Sequence, residues 1–289
     1  MKIDQNKRLH RYHTFHLDVK AKYFTEAKSV NELKEIISSD IFKSNSHLIL
    51  GGGSNVLFTK DFDGLVVKLS LPGVHVQEES QDEVVIKVGA GVVWHELVMH
   101  CVAKGWGGIE NLSLIPGTVG AAPMQNIGAY GVEIKDVFHN LEAVEIESGK
   151  TRTFNSNECE FGYRESVFKK TLKDKFIITS VTFVLQKEAK VNTTYGAINE
   201  TLASWNIPTI ADVSKAVIHI RQSKLPNPEE IGNAGSFFKN PSIASKAYEA
   251  LKSDYPAIPG YPQEDGSVKV PAGWLIENDG WKGKTLGPI

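Results

Sequence analysis

The amino-acid sequence predicts an α+β fold. Apolar runs of strand length occur along the chain, and between them lie segments whose apolar residues recur at helical spacing. These strands and helices do not alternate regularly, as they would in a βαβ winding. With 289 residues, 41% of them hydrophobic, the chain is long enough for a sizeable core or for two modest domains.

Local patterns place the individual elements. At residues 29–38 apolar side chains recur every three or four positions, and Ser29 with Glu32 resembles a capping box. Gly105 is a suitable C-terminal stop for the helix before it. Helices are predicted at residues 29–38, 93–104, 212–222, 242–253 and 272–278. Strands are predicted at residues 47–50, 65–69, 84–88, 141–147, 176–185 and 268–270.

The last segment of the chain is unusual. From residue 212 onward the sequence predicts three helices but one short strand. Amphipathic helices need another layer to cover, and one short strand is not a sheet. We therefore expect the final domain to be incomplete, as if the chain were cut short.

Composition limits the classes of function. Lys and Arg number 32 and Asp and Glu 34, so the net charge of −2 gives no electrostatic footprint for nucleic acid or an anionic membrane. Cys101 and Cys159 form no CxxC pair, which favours a reducing compartment over a disulfide framework. The N-terminus lacks the apolar core of a signal peptide, and the uncharged stretch 111–132 contains too much glycine and proline for a membrane span. We expect a soluble, cytoplasmic protein.

Three glycine-containing turns are the strongest functional signal. Residues 51–55 and 89–91 each follow a predicted strand, and a third set lies in the unusually long uncharged stretch 111–132. Glycines let backbone N–H groups approach a phosphate, although three glycines alone could equally form a hairpin turn. Together the three turns favour a nucleotide diphosphate held by backbone amides.

Better-known motifs fit poorly. Val56 occupies the place of the third glycine in a Rossmann fingerprint, and no helix pattern follows. His95 and His100 are five positions apart, which places them about 140° apart around a helix and prevents them from sharing a metal. We predict no metal site.

Two polar side chains stand out from their surroundings. Ser236, in the segment 232–241, could present a rigidly held hydroxyl to a substrate, or it could cap a turn. Arg164 could bind a carboxylate in a bidentate fork, or it could form a surface ion pair with Glu165 or another acid.

In this order the segments resemble the UDP-N-acetylenolpyruvoylglucosamine reductase family over nearly the whole chain. The residues that carry the resemblance are 51–57 (GGGSNVL), 115–120 (IPGTVG), 125–131 (QNIGAYG), 235–241 (GSFFKNP) and 272–276 (AGWLI). Tyr195-Gly196 is similar to the form of the family with an inserted tyrosine loop.

The resemblance implies an FAD-binding half of two α+β subdomains without a Rossmann fold, followed by a substrate-binding domain. The corresponding divisions are residues 1–70, 71–190, a linker at 191–211, and 212–289. It also implies that NADPH reduces FAD, which then reduces UDP-N-acetylglucosamine enolpyruvate to UDP-N-acetylmuramate in peptidoglycan synthesis. A monomer with no nucleic-acid or membrane partner is expected.

Residue roles also follow from the resemblance. Ser236 matches the proton donor to the substrate, and Arg164 matches the residue that binds the substrate carboxylate. The substrate-binding positions are Tyr130, Tyr195, Lys224 and Asn240, and Lys224 is also expected to serve NADPH. The cofactor-binding positions are Gly51, Gly52, Gly53, Ser54, Asn55, Val56, Gly89, Gly91, Pro116, Gly117, Thr118, Gly120, Ala121, Gln125, Asn126, Gly128 and Gly131.

One departure leaves an alternative. The family has a further catalytic glutamate near its C-terminus, beyond the position corresponding to Ile289. A non-catalytic protein that binds FAD or a sugar nucleotide is therefore the second hypothesis.

Overall fold

The computed structural model describes residues 1–202 and 207–284. The chain forms two compact units, Met1–Ala234 and Gly235–Ile289. Sheets and helices are present in both, and the prediction of an α+β fold is confirmed.

A mixed four-stranded sheet opens the first unit. Its strand order is β1-β2-β4-β3, with β1 antiparallel to β2 and with β4 parallel to both of its neighbours. Leu65, Val66 and Val67 of β4 are all fully buried, as expected for a central strand covered on both faces. The elements are β1 (Asp4–Arg8), β2 (Lys20–Ala27), α1 (Val30–Ser38), α2 (Asp40–Ser44), β3 (His47–Leu50) and β4 (Phe62–Leu69).

A five-stranded antiparallel sheet follows. Its strand order is β10-β9-β11-β6-β5, and β7 and β8 form a separate short hairpin. Helix α3 buries Trp94, Leu97 and Cys101 in the core of this sheet, and the Trp94 indole donates a hydrogen bond of 3.0 Å to the carbonyl of Leu112. The elements are β5 (Val74–Glu79), β6 (Glu83–Gly89), α3 (Trp94–Lys104), β7 (Gly128–Ala129), β8 (Val132–Glu133), β9 (Phe138–Glu145), β10 (Thr151–Asn155), α4 (Ser156–Cys159) and β11 (Phe176–Gln186).

The two sheets of the first unit share a core. Leu33 and Ile36 of α1 belong to the same buried cluster as Val144 of β9 and Ile177 of β11. The sheets are therefore fixed relative to each other by buried apolar contacts. Two helices, α5 (Gly196–Thr201) and α6 (Ile210–Lys224), complete the unit.

The second unit contains a small sheet that the sequence patterns did not reveal. Its strands pair in the order β12-β14-β13, all antiparallel. The prediction of a single strand in this segment is therefore wrong, as is the prediction that residues 242–244 are helical. Strands of two or three residues are too short to show a period of two. The elements are β12 (Ser242–Ala244), α7 (Ser245–Asp254), β13 (Tyr261–Pro262), β14 (Ser267–Lys269) and α8 (Ala272–Asn278).

The predicted helices and strands are otherwise present, with ends shifted by a few residues. Ser29 caps α1 by accepting a hydrogen bond from the Glu32 amide, and Gly105 ends α3 with a left-handed φ of 76°. Sequence patterns did not predict the exposed strands β1, β5 and β10, nor strand β2. Gly196, predicted to lie in a loop, begins α5. The predicted linker, 191–211, includes residues 203–206, which lie outside the described residues, and the boundaries at 70, 190 and 212 stay predictions.

Two further observations concern the whole described chain. Among its described residues, no helix combines the length and the apolar character needed to cross a bilayer. Cys101 and Cys159 are both buried free thiols, and burial raises the pKa of each to about 12. Neither thiol is in its reactive thiolate form near neutral pH.

We expect Leu97→Ala to destabilise the protein by about 2–5 kcal/mol, because it removes a buried side chain from the core between α3 and the second sheet. Met99 is on the same helix but 41% exposed, and Met99→Ala should cost about 1 kcal/mol or less. Urea unfolding of the FAD-loaded protein measures both values. Equal losses would contradict the assigned core.

Candidate active site

The three predicted glycine turns converge in the first unit. We call residues 51–55 the first glycine loop, residues 89–91 the second and residues 116–131 the third. A Cβ atom added to Gly52 would lie 2.8 Å from the Cα of Gly117, and one added to Gly120 would lie 2.5 Å from the Cβ of Ala90. The backbones of the loops approach so closely that side chains are excluded at these points.

Backbone hydrogen bonds hold the second and third loops together. The Gly120 amide donates to the Ala90 carbonyl at 2.9 Å, and the Val119 amide donates to the Val92 carbonyl at 2.9 Å. The first loop is tied elsewhere, because the Lys68 ammonium donates to the Gly51 carbonyl at 2.6 Å. Burial lowers the pKa of Lys68.

A cleft of about 680 Å³ opens beside these loops. Gly51, Thr118 and Gly120 line one part of it, and residues of β3 and β11 line another. Both the volume and the mixture of apolar walls with exposed backbone are typical of a cofactor site.

The residues around the first glycine loop fit FAD. The Thr14 amide donates to the Gly53 carbonyl at 3.3 Å, which places the Thr14–His13 segment against this loop. The Thr14 hydroxyl and His13 Nδ1 are buried and have no hydrogen-bond partner within the described chain. His13 Nε2 lies 3.2 Å from the Leu17 carbonyl, so it carries the proton, and Nδ1 is left as an acceptor. Burial lowers the pKa of His13, which keeps this tautomer neutral. Such groups suit the hydroxyls of a flavin dinucleotide, as the glycine cradle suits its pyrophosphate.

The predicted cofactor residues lie in these three loops, except for Val56, which directly follows the first loop. Asn126 differs from the others because its side chain is fully engaged by the protein. It donates to Glu133 at 2.8 Å and to the Gly162 carbonyl at 3.1 Å, and it accepts from the Lys135 amide at 3.2 Å. Asn126 would therefore serve a cofactor through its backbone or by shaping the loop.

Arg164 is held next to the third glycine loop. It occupies a tight turn with a left-handed φ of 55°, and its guanidinium donates to the Gly128 carbonyl. Its Nη1 lies 3.8 Å from Oε1 of Glu133, and the Tyr163 ring is 5.2 Å from its Cζ. Glu133 is thus an acid that pairs with Arg164, and it was not singled out by the sequence patterns.

Tyr130 and Tyr195 form a second group in the first unit. Their rings meet edge to face with centroids 5.2 Å apart. Lys224 is the exposed last residue of α6. Arg221, one turn earlier on this helix, is close enough to Tyr130 for each group to shift the pKa of the other. The spacing of Arg221 and Lys224 is the signal that could have drawn attention to Arg221.

Ser236 and Asn240 belong to the second unit. Ser236 is exposed and follows Gly235, whose φ is 67°. Asn240 accepts a hydrogen bond of 3.0 Å from the Ala272 amide, which fixes the end of this segment at the start of α8. Within the described residues, no group of three His, Cys, Asp or Glu side chains is arranged to hold a metal ion.

Known families match most of the chain. Residues 21–155 match the FAD binding domain, and residues 227–289 match the C-terminal domain of UDP-N-acetylenolpyruvoylglucosamine reductase. The reductase of that name from Flavobacterium johnsoniae is 50% identical over 99% of this chain and 86% of its own length. The chain belongs to the UDP-N-acetylenolpyruvoylglucosamine reductase family. The reductase from Pseudomonas syringae pv. syringae is 48% identical over 94% of this chain and 80% of its own length.

A solved structure supports the fold. The crystal structure of UDP-N-acetylenolpyruvylglucosamine reductase from Thermus caldophilus matches with a TM-score of 0.61 at 22% identity. The match covers 93% of this chain and 87% of that one. Membership of the reductase family confirms the predictions of an FAD-dependent oxidoreductase of peptidoglycan precursor synthesis that uses NADPH. The roles predicted for individual residues stay predictions.

We expect Gly52→Ala to lower both FAD retention and stability, because its Cβ would collide with the backbone of Gly117. The matched control is Gly273→Ala, since a Cβ there meets nothing within 4 Å. Flavin absorbance per polypeptide after gel filtration measures retention. Full flavin content in Gly52→Ala would contradict a cofactor cradle at the junction of these loops.

Proposed function

We propose that this chain reduces UDP-N-acetylglucosamine enolpyruvate to UDP-N-acetylmuramate with Arg164 and Ser236 in the two principal catalytic roles. The observation that carries the proposal is the placement of Arg164. Its guanidinium is partly buried, anchored at the third glycine loop, and paired with Glu133 at a long 3.8 Å.

FAD, when bound, supplies the chemistry of hydride transfer from NADPH to the terminal carbon of the enolpyruvyl ether. Backbone N–H groups of the glycine loops would hold its pyrophosphate, and the cleft beside Gly51 and Thr118 would take other parts of the cofactor. Hydride addition leaves negative charge that is shared between the neighbouring substrate carbon and the carboxylate.

Arg164 binds the substrate carboxylate and stabilises this charge. A guanidinium matches a carboxylate with two parallel N–H donors. Glu133 and the Gly128 carbonyl already fix one side of the group, so little ordering remains when substrate arrives. Because the Glu133 contact is long, a substrate carboxylate can compete for the remaining donors.

Ser236 gives its hydroxyl proton to the substrate carbon next to the carboxylate. A serine hydroxyl is a weak acid, but the carbanion-like carbon is a strong base, so the transfer is favourable in direction. Gly235 and Phe237 flank Ser236, and an exposed hydroxyl in this segment is accessible to a ligand.

The remaining assignments describe binding and context. Tyr195, Lys224 and Asn240 hold the sugar-nucleotide diphosphate, with Tyr130 beside Tyr195, and Lys224 also serves NADPH. The protein acts as a cytoplasmic monomer without nucleic-acid or membrane partners. The near-neutral charge of −2 is consistent with these assignments.

Ser236→Ala should separate the two halves of the reaction. We expect anaerobic reduction of the flavin by NADPH to be unchanged, whereas reoxidation by the enolpyruvyl substrate should slow by about a hundredfold or more, because the proton donor is lost. Stopped-flow flavin absorbance follows both steps. Ser253→Ala, an exposed serine in α7, is the control and should match the unaltered protein. Unchanged reoxidation in Ser236→Ala would remove Ser236 from the mechanism, and an unaltered protein that is not reoxidised would overturn the proposed reaction.

Arg164→Met tests carboxylate binding. We expect the apparent affinity for the enolpyruvyl substrate to fall by about tenfold to a hundredfold, since a charge-assisted hydrogen-bonded pair is lost. Flavin reduction by NADPH should not change. The control is Arg152→Met, which removes a guanidinium from the exposed edge strand β10, where Arg152 is paired with Glu158 of α4. This change should leave both half-reactions unaltered. An effect on NADPH reduction alone would contradict the role assigned to Arg164.

A further inference from the structure

Arg221 is a mostly buried cation with an unsatisfied donor. It lies in the last turn of α6, and its Nε is buried without a hydrogen-bond partner in the described chain. Burial lowers the pKa of its guanidinium, and Tyr130 is the group that opposes this effect. Within residues 1–202 and 207–284, the groups that act on its charge include no carboxylate.

Neighbouring side chains do not compensate this charge. Burial raises the pKa of the Tyr130 phenol, so it is neutral at pH 7. His95 of α3 accepts a hydrogen bond of 3.0 Å from the Leu114 amide through Nδ1, which fixes a neutral tautomer. Burial lowers the pKa of His95 first, and the charge of Arg221 lowers it further. The site is therefore positive, and a buried charge without a counter-charge is costly.

The backbone of the turn that carries Tyr130 is strained. Tyr130 and Gly131 join β7 to β8 with φ values of 52° and 81°. Asn and Gly are the usual residues of such a two-residue turn, because a side chain with a Cβ is strained there. The Asn111 amide holds the turn by donating to the Tyr130 carbonyl at 3.0 Å and to the Asn192 carbonyl at 2.9 Å. Strain maintained by such contacts is characteristic of functional sites.

We propose that Arg221 is a binding residue for a ligand diphosphate, which supplies the counter-charge that the protein lacks. A guanidinium binds phosphate oxygens with forked N–H donors. Lys224 follows three positions later on the same side of α6 and adds a second cation to the site. Tyr130 and the edge-packed Tyr195 form its aromatic wall.

The diphosphate has two possible sources, the UDP of the substrate and the pyrophosphate of FAD. For the first source, the inference rests on the proposed function and adds a substrate-binding residue to it. Binding measurements with UDP and measurements of flavin content separate the two sources, and neither requires turnover.

The test compares Arg221→Met with the unaltered FAD-loaded protein and with the surface control Arg152→Met. Calorimetric titration with UDP measures the first source, and flavin per polypeptide after gel filtration measures the second. We expect UDP affinity to fall by about tenfold or more in Arg221→Met, with flavin content unchanged. Arg221→Lys keeps the charge but loses the fork, and it should recover part of the affinity. If Arg221→Met instead loses flavin while its UDP affinity is unchanged, Arg221 binds a diphosphate as proposed, and that diphosphate is the pyrophosphate of FAD.

Thermal unfolding of the flavin-free protein distinguishes ligand binding from a structural role. If Arg221 serves a ligand, Arg221→Met removes an uncompensated buried charge, and the unfolding temperature should stay the same or rise. UDP affinity and flavin content both within twofold of the unaltered protein would overturn the inference, whether or not the unfolding temperature falls. Turnover of the enolpyruvyl substrate by the unaltered protein would in that case leave the proposed function intact. Conversely, if Arg221→Met loses UDP affinity and the unaltered protein does not reduce the enolpyruvyl substrate, the proposed reaction is overturned but the diphosphate site is retained.

Discussion

The close approach of backbone between the first and third glycine loops is the constraint on which the rest of the first unit depends. Gly52 and Gly117 come from opposite sides of the junction between the two sheets. A Cβ atom on Gly52 would collide with the backbone of Gly117 and force the two loops apart. The cleft exists because β3 ends at one of these loops while β11 supplies its other wall. Apolar packing of α1 against residues of both sheets then fixes the loops at this distance. The geometry of the proposed cofactor site thus depends on the shared core as much as on the loops themselves.

Sequence patterns predicted the elements with strong local signals and failed where the signal is not local. Helix α1 has a cap and an apolar face, and α8 was predicted with its observed ends because Pro271 precedes it and Asp279-Gly280 follows it. Strands β12 and β13 have three and two residues, and their existence depends on pairing with β14. Exposed strands such as β5 bury too little apolar surface to show alternation. No local pattern could have revealed them.

The same division applies to the candidate site. Glycine turns and the segment around Ser236 were visible because unusual residue types follow one another in the chain. Glu133 and Arg221 were not visible, because each acquires its importance from partners brought close by folding. Arg164 illustrates both cases. Its motif identified the residue, but the long contact with Glu133 and the anchor at Gly128 required the structure.

The arrangement of the first sheet has a consequence for the order of assembly. β4 is the central strand, yet it follows both of its neighbours in the chain, so β2 and β3 have no common partner until it is synthesised. The core around α1 also includes Val144 and Ile177, which are synthesised much later, so it is complete only after they have been made. Contacts between distant parts of a chain form slowly because loop closure must come first. The cleft that we propose for FAD is lined in part by β11, so it is complete only after that strand has been synthesised and paired.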